Sequence, residues 1–195
     1  VKIYENFLPA EMHKNIYNQL VGPGFAWYNY TSVVDSNMKL SNKFYTPDVF
    51  RHCFVLDYKI QSPWINLLDP VLLKIKDTLK SSAIEVINAH ANWMFPNKAK
   101  EFQVDYPHID KDNFTDDCYT ALYYFNDCEG STTLYDQYVH TNADIKLDTL
   151  EVVSTFRPYK NKLLLWKAKQ VHSGPAFITE PRLVFNINLR IKDVY

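Results

Sequence analysis

Glycine is scarce in this 195-residue sequence: four residues, about 2% against a usual ~7%. Nucleotide-binding loops need several glycines at fixed spacing, because only a residue without Cβ lets backbone approach a phosphate closely. No such loop can be written here, which excludes most nucleotide-binding enzymes. Cysteine is scarce too. Cys53, Cys118 and Cys128 are odd in number and contain no Cys-x-x-Cys pair. A zinc knuckle, a thioredoxin motif and a disulfide scaffold are therefore not expected, and a reducing, cytoplasmic setting is. No apolar run reaches the roughly 18 residues of a membrane helix. The opening Val1-Lys2-Ile3-Tyr4-Glu5 does not read as a signal peptide. Charge of one sign is also missing. With 21 Lys+Arg against 22 Asp+Glu, the formal charge is −1, and binding to nucleic acid or an anionic membrane is not expected.

What is present is apolar and aromatic: 47% and 15% of residues, respectively, enough for a sizeable core. Leu8, Met12, Ile16 and Leu20 recur at helical spacing behind Pro9, which suits a first helical position. Val21-Gly22-Pro23-Gly24 ends that helix. Residues 25–58 are aromatic-rich and suggest strands around Trp27-Tyr28 and Arg51 to Tyr58. Ser62-Pro63 and Asp69-Pro70 each read as an N-cap followed by an N1 proline, a short helix leading into a longer one. From about residue 83 the period shortens to two. Strands are expected near 84–94, 101–109, 118–125, 132–139, 150–156, 162–167 and 182–191. Helices followed by a run of strands imply a mainly β domain with flanking helices. The expectation is a single domain over 1–195, with helical support at about 1–82 packed on one sheet of a jelly-roll core at about 83–195.

Three features point to chemistry. In His108-Ile109-Asp110, an imidazole and a carboxylate two residues apart on a strand would share a face and bind one metal ion. The spacing alone is common by chance, and a plain surface strand end is the competing reading. His172 follows 62 residues after Asp110, between an apolar run and a Gly-Pro turn. Two histidines with one carboxylate form the facial triad that leaves metal positions open. Arg182 lies ten residues further on and opens a strand of two distinct faces. Leu183, Phe185, Ile187, Leu189 and Ile191 form an apolar face suited to packing under helices. Arg182, Val184, Asn186 and Asn188 form the other, which lines either a functional cavity or solvent.

With these residues in place, the sequence resembles the Fe(II)/2-oxoglutarate-dependent dioxygenases, in their prolyl 4-hydroxylase-like branch. The family pattern of His-x-Asp, a distal His and an Arg about ten residues later reads here as His108, Asp110, His172 and Arg182. Cys118-Tyr119-Thr120-Ala121-Leu122-Tyr123-Tyr124 is similar to the family strand whose tyrosine bonds the distal carboxylate of 2-oxoglutarate, here Tyr124. Glu129-Gly130-Ser131-Thr132 is similar to the family's Gly-Gly-x-Thr turn, with Thr132 facing the co-substrate and Glu129 replacing the first glycine. The resemblance implies a double-stranded β-helix (jelly-roll or cupin-like) core. It implies Fe(II) on His108, Asp110 and His172, and 2-oxoglutarate with its distal carboxylate on Arg182 and Tyr124. O2 would be the oxidant and ascorbate a candidate reductant. Asn92 is a candidate for the C1 end of 2-oxoglutarate, where the family usually offers a tyrosine. Asn188 is a further candidate co-substrate contact.

The implied reaction is hydroxylation of a C–H of a peptidyl proline or an amino acid, releasing succinate and CO2, with a peptide, protein or amino-acid partner. Two alternatives stand beside it. Nucleobase demethylases of the family carry a second Arg six positions after the first, where this sequence has Asn188. A non-catalytic jelly-roll binding module would need none of the metal ligands.

Overall fold

A computed structural model describes residues 1–30, 49–96, 105–175 and 178–194. In chain order its elements are β1 (Lys2–Tyr4), α1 (Ala10–Leu20), β2 (Tyr28–Tyr30), β3 (Val49–Leu56), β4 (Lys59–Ile60), α2 (Asp69–Leu79), β5 (Ser81–Met94), β6 (Cys118–Tyr124), β7 (Thr132–Tyr138), β8 (Val152–Phe156), β9 (Lys162–Lys167), β10 (Gln170–Ser173) and β11 (Arg182–Val194). They form an eight-stranded sheet ordered β1-β9-β6-β11-β5-β3-β2, with β4 beside β3, and a three-stranded sheet ordered β10-β7-β8. The pairings are antiparallel. The mainly β architecture with two helices is thus as the sequence implies.

Strand alternation explains how the layers meet. Leu183, Phe185, Ile187, Leu189 and Ile191 of β11 are buried in one cluster with Ala121 and Tyr123 of β6, Leu163 and Leu165 of β9, Ile16 and Leu20 of α1, and Val71, Ile75 and Leu79 of α2. This is the helix-covered face, and each large side chain buried there contributes roughly 1.5–3 kcal/mol. The opposite face looks toward the small sheet. Leu122, Tyr124, Leu164, Trp166 and Val184 meet Leu134 of β7 there, in a smaller core. That inter-sheet core closes one end of the space between the sheets and leaves the polar residues of the same face around a cavity.

Four expectations need correction. The first 82 residues are not helical support alone, since β1, β2, β3 and β4 join the large sheet. Of the strand expected at 101–109, residues 101–104 lie outside the described residues. In the remainder there is no strand: His108 forms an isolated bridge to His172, and Asp105 N–H donates to Gly174 O at 3.0 Å. Pro9 precedes α1 as its N-cap instead of occupying its first turn, and Met12 in the expected apolar stripe is 41% exposed. Asp69 does not cap α2, because the preceding 3-10 turn Ile65–Leu67 runs straight into it through a helical Leu68.

Candidate metal centre

The backbone bridge between His108 and His172 assembles the site. Each residue's N–H donates to the other's carbonyl, at 2.8 and 2.9 Å, so two segments far apart in sequence present their imidazoles side by side, with centroids 4.7 Å apart. Each Nδ1 faces a carbonyl: His108 Nδ1 lies 2.7 Å from Tyr106 O, and His172 Nδ1 lies 3.1 Å from Gln170 O. A carbonyl only accepts, so Nδ1 carries the hydrogen and Nε2 keeps a lone pair for the cavity. His172 Nε2 lies 3.6 Å from Asp110 Oδ1. One ligand atom from each of His108, Asp110 and His172 falls within 4.8 Å of the others, close enough for one ion to meet all three.

The large sheet holds the carboxylate from the far side. Asp110 Oδ1 accepts from Asn186 Nδ2 at 2.9 Å. Its Oδ2 accepts from Asn188 Nδ2 at 2.8 Å and from Thr120 Oγ1 at 3.1 Å. Thr120 and Asn188 are cross-strand partners on β6 and β11, so two strands set the carboxylate's orientation. Burial pushes the Asp110 carboxyl up, but the adjacent His172 and His108 outweigh it and hold it below the usual carboxylate range. Burial lowers His172 while Asp110 raises it, and the net direction is up. Burial and the neighbouring His172 bring His108 down to about 4. The three groups thus suit a divalent cation: an ionised carboxylate, one imidazole that burial keeps neutral, and one whose hold on a proton Asp110 strengthens.

Arg182 enters the same cavity, which is lined by His108, His172, Asn92, Thr132, Arg182 and Asn186 among others. It is 6% exposed. Its Nη2 donates to Thr132 Oγ1 at 3.0 Å, Thr132 Oγ1 shares a 2.7 Å hydrogen bond with the Tyr124 hydroxyl, and the guanidinium lies 5.5 Å over the Tyr124 ring. Arg182 forms no salt bridge among the described residues, and its Nε is buried without a partner. An unpaired buried cation is costly, and this one is arranged as a fork with hydroxyls beside it, the geometry that grips a carboxylate. Burial raises the Tyr124 pKa, so the phenol stays a neutral donor.

The structure therefore brings His108, His172, Arg182 and Thr132 to the lining of one cavity, with Asp110 beside His172 and Tyr124 behind Thr132 and Arg182. Asn92 also lines it, with Oδ1 accepting from Arg51 Nε at 2.9 Å. Asn188 is absent from the lining; its amide is spent on Asp110 and Thr120. Thr120, Asn186, Arg51 and His90 were not singled out from sequence. Parity had put Asn186 on the polar face of β11, but the partners of Arg51, two strands away, are visible only in three dimensions.

No family model matches the sequence, and no curated protein matches it. Solved structures do. A prolyl hydroxylase from Trichoplax adhaerens, in complex with a hypoxia inducible factor oxygen degradation domain peptide, superposes with a TM-score of 0.61 at 16% identity, over 98% of this chain and 83% of its own. The epimerase SnoN, in complex with Fe3+, alpha ketoglutarate and nogalamycin RO, gives 0.62 at 15% identity, over 98% and 81%. The viral collagen prolyl hydroxylase of Paramecium Bursaria Chlorella virus-1, as a 2-oxoglutarate complex, gives 0.56 at 11%, over 98% and 96%. The chain has the double-stranded β-helix fold of the 2-oxoglutarate- and iron-dependent oxygenases.

Proposed function

We propose that this protein is an Fe(II)- and 2-oxoglutarate-dependent dioxygenase that hydroxylates a C–H of a peptidyl proline or an amino acid. One observation carries the reading: the buried Arg182, which forms no salt bridge among the described residues, shares a cavity with His108 and His172 of the His108–Asp110–His172 cluster. At the metal and the guanidinium themselves, two neutral imidazoles, the Asp110 carboxylate, a divalent iron and Arg182 sum to plus two, which matches the 2-oxoglutarate dianion; the buried Asp105 also lines the cavity. The relatives of this fold that hold Fe3+ with alpha ketoglutarate, or 2-oxoglutarate, support the same pair of groups here.

His108 Nε2, His172 Nε2 and an oxygen of Asp110 would hold the iron, and Arg182, Thr132 and Tyr124 would hold the distal carboxylate of the co-substrate. When bound, the pair supplies O2-dependent decarboxylation to succinate and CO2 coupled to C–H hydroxylation. The chain's own part is positioning. Thr120, Asn186 and Asn188 fix the carboxylate. The carbonyls of Tyr106 and Gln170 fix the tautomers. The apolar layer of Leu122, Leu134, Leu164, Trp166 and Val184 keeps water from the inner end of the cavity, where a charge-assisted grip is strongest.

The test is anaerobic addition of Fe(II) and then 2-oxoglutarate. A visible charge-transfer band is expected, lost in His172→Ala. Its absence in the wild-type protein would return the chain to the class of non-catalytic jelly-roll modules.

A further inference from the structure

On the inner face of the large sheet, three polar groups have hydrogen-bonding capacity that the described residues leave unfilled; one of them, Asn186, also lines the Arg182 cavity. Arg51 of β3 is half-buried. Its Nε donates to Asn92 Oδ1 and its guanidinium lies 5.3 Å over the Tyr30 ring. Its Nη groups have no hydrogen-bond partner, and it makes no salt bridge, among the described residues. His90 of β5 pairs across strands with Cys53 and with Asn186, so it is the diagonal neighbour of Arg51. It makes no side-chain hydrogen bond among the described residues, and burial together with Arg51 brings its pKa down to about 4. Asn186 gives its amide to Asp110, and its Oδ1 is buried without a partner.

The three sit beside the metal cluster: Asn186 bonds Asp110, and the charge of Asp110 partly offsets the lowering that burial imposes on the Arg51 guanidinium. Arg51 is nonetheless separate from the Arg182 pocket: Asn92 lines that cavity and Arg51 does not. With His90 neutral, the group offers one positive charge, from Arg51, together with an amide acceptor on Asn186 and an imidazole able to donate or accept.

We propose that Arg51, His90 and Asn186 form the substrate subsite, and that it takes a free α-amino acid. The substrate carboxylate sits on the Arg51 guanidinium and its N–H group on Asn186 Oδ1. A guanidinium whose Nη groups have no partner among the described residues matches a carboxylate in two parallel bonds. An internal residue of a peptide has no α-carboxylate to offer. The inference rests on the oxygenase reading and narrows its substrate from peptidyl proline or amino acid to the free amino acid.

The experiment is equilibrium dialysis under anaerobic conditions with protein loaded with Fe(II) and 2-oxoglutarate. The probes are the twenty common L-amino acids and their carboxamides. At least one free acid is expected to bind saturably, with its carboxamide at least about tenfold weaker. Arg51→Gln should weaken that acid by roughly 30-fold or more, the usual cost of removing one partner of a close charge pair. The same variant should bind 2-oxoglutarate within about threefold of wild type, which also shows that it is folded. The proposal is overturned if none of the free acids binds, if acid and carboxamide bind alike, or if Arg51→Gln leaves acid binding intact. It is equally overturned if Arg51→Gln loses 2-oxoglutarate as Arg182→Ala does, since Arg51 would then serve the co-substrate. Failure of the oxygenase reading shows separately, as wild-type protein that takes up no 2-oxoglutarate with Fe(II).

Discussion

His108 and His172 are the same residue type in the same cavity, yet their protons behave differently. Burial leaves His108 neutral down to about 4, whereas Asp110 keeps a proton on His172 above the ordinary 6.5. A metal ion binds the unprotonated nitrogen, so in the mildly acidic range it must displace one proton, from His172. The sign follows. Metal affinity is fully developed above the raised His172 pKa and falls about tenfold per pH unit below it; the second proton enters only near the His108 value. Calorimetric titration of Mn(II) between about pH 5 and 6.5 should give a slope of one in log affinity against pH. A flat profile would remove His172 from the ligand set, and a slope of two would show that burial does not neutralise His108. Asn188 poses a second question at this scale. Its amide supports Asp110, so Asn188→Ala should cost about 10–100-fold in metal affinity. At saturating Mn(II), 2-oxoglutarate should bind this variant within about threefold of wild type. A larger loss there would make Asn188 a co-substrate contact, as the sequence suggested.

At the scale of elements, what the sequence made legible was whatever rests on periodicity. The two faces of β11 could be read from alternation because one is wholly apolar, and that alternation located both the helix-packing layer and the cavity. The segment carrying His108 was misread because its backbone is held by contacts to His172 and Gly174, between distant residues, which leave no period behind. Arg51 went unnoticed for a similar reason. Its meaning comes from lying beside Asn92 across a strand boundary. The attachment of α1 was equally hidden. Asn161, at φ 61° in the turn before β9, accepts from Leu8 N–H and from the Tyr123 hydroxyl, and donates to Leu8 O, each at 2.8 Å. His13 of α1 reaches the same hydroxyl at 2.7 Å. Asn161→Ala would strand the Leu8 N–H and carbonyl, remove one of the two partners of the Tyr123 hydroxyl, and force alanine into a left-handed conformation. A loss of about 3 kcal/mol or more is expected, lowering the melting temperature by about 6–12 °C for a chain of this length. Asn161→Asp, which keeps the acceptor and tolerates positive φ, should lose less. Equal losses in the two variants would show that the side-chain acceptor is not what holds α1 down.

Across the whole molecule, the site ties the two sheets together. His172 lies on the small sheet and His108 is bridged to it, while Asp110 is held by β6 and β11 of the large one. Whatever binds the triad and Arg182 binds only the assembled protein, because unfolding scatters ligands drawn from residues 108 to 182. Binding must then raise the melting temperature by mass action. At a free ligand concentration of about a hundred times Kd the stabilisation is roughly 2.7 kcal/mol, and at about 2–4 °C per kcal/mol for a chain of this size the shift is about 5–11 °C. Mn(II) avoids the oxidation of Fe(II) and serves as the probe. Mn(II) alone should shift wild type and Arg182→Ala alike, because Arg182 does not touch the ion. Adding 2-oxoglutarate should shift wild type further, leave Arg182→Ala where the metal put it, and do little for His172→Ala. The order of addition carries information as well. Without metal, the co-substrate has only the Arg182, Thr132 and Tyr124 grip on its distal end, so 2-oxoglutarate alone should produce a clearly smaller shift than it adds after Mn(II). If 2-oxoglutarate stabilises Arg182→Ala as well as wild type, the buried guanidinium is a structural cation and the distal carboxylate is held elsewhere. If it stabilises wild type equally with and without Mn(II), the anion pocket works on its own and the metal does not share the ligand.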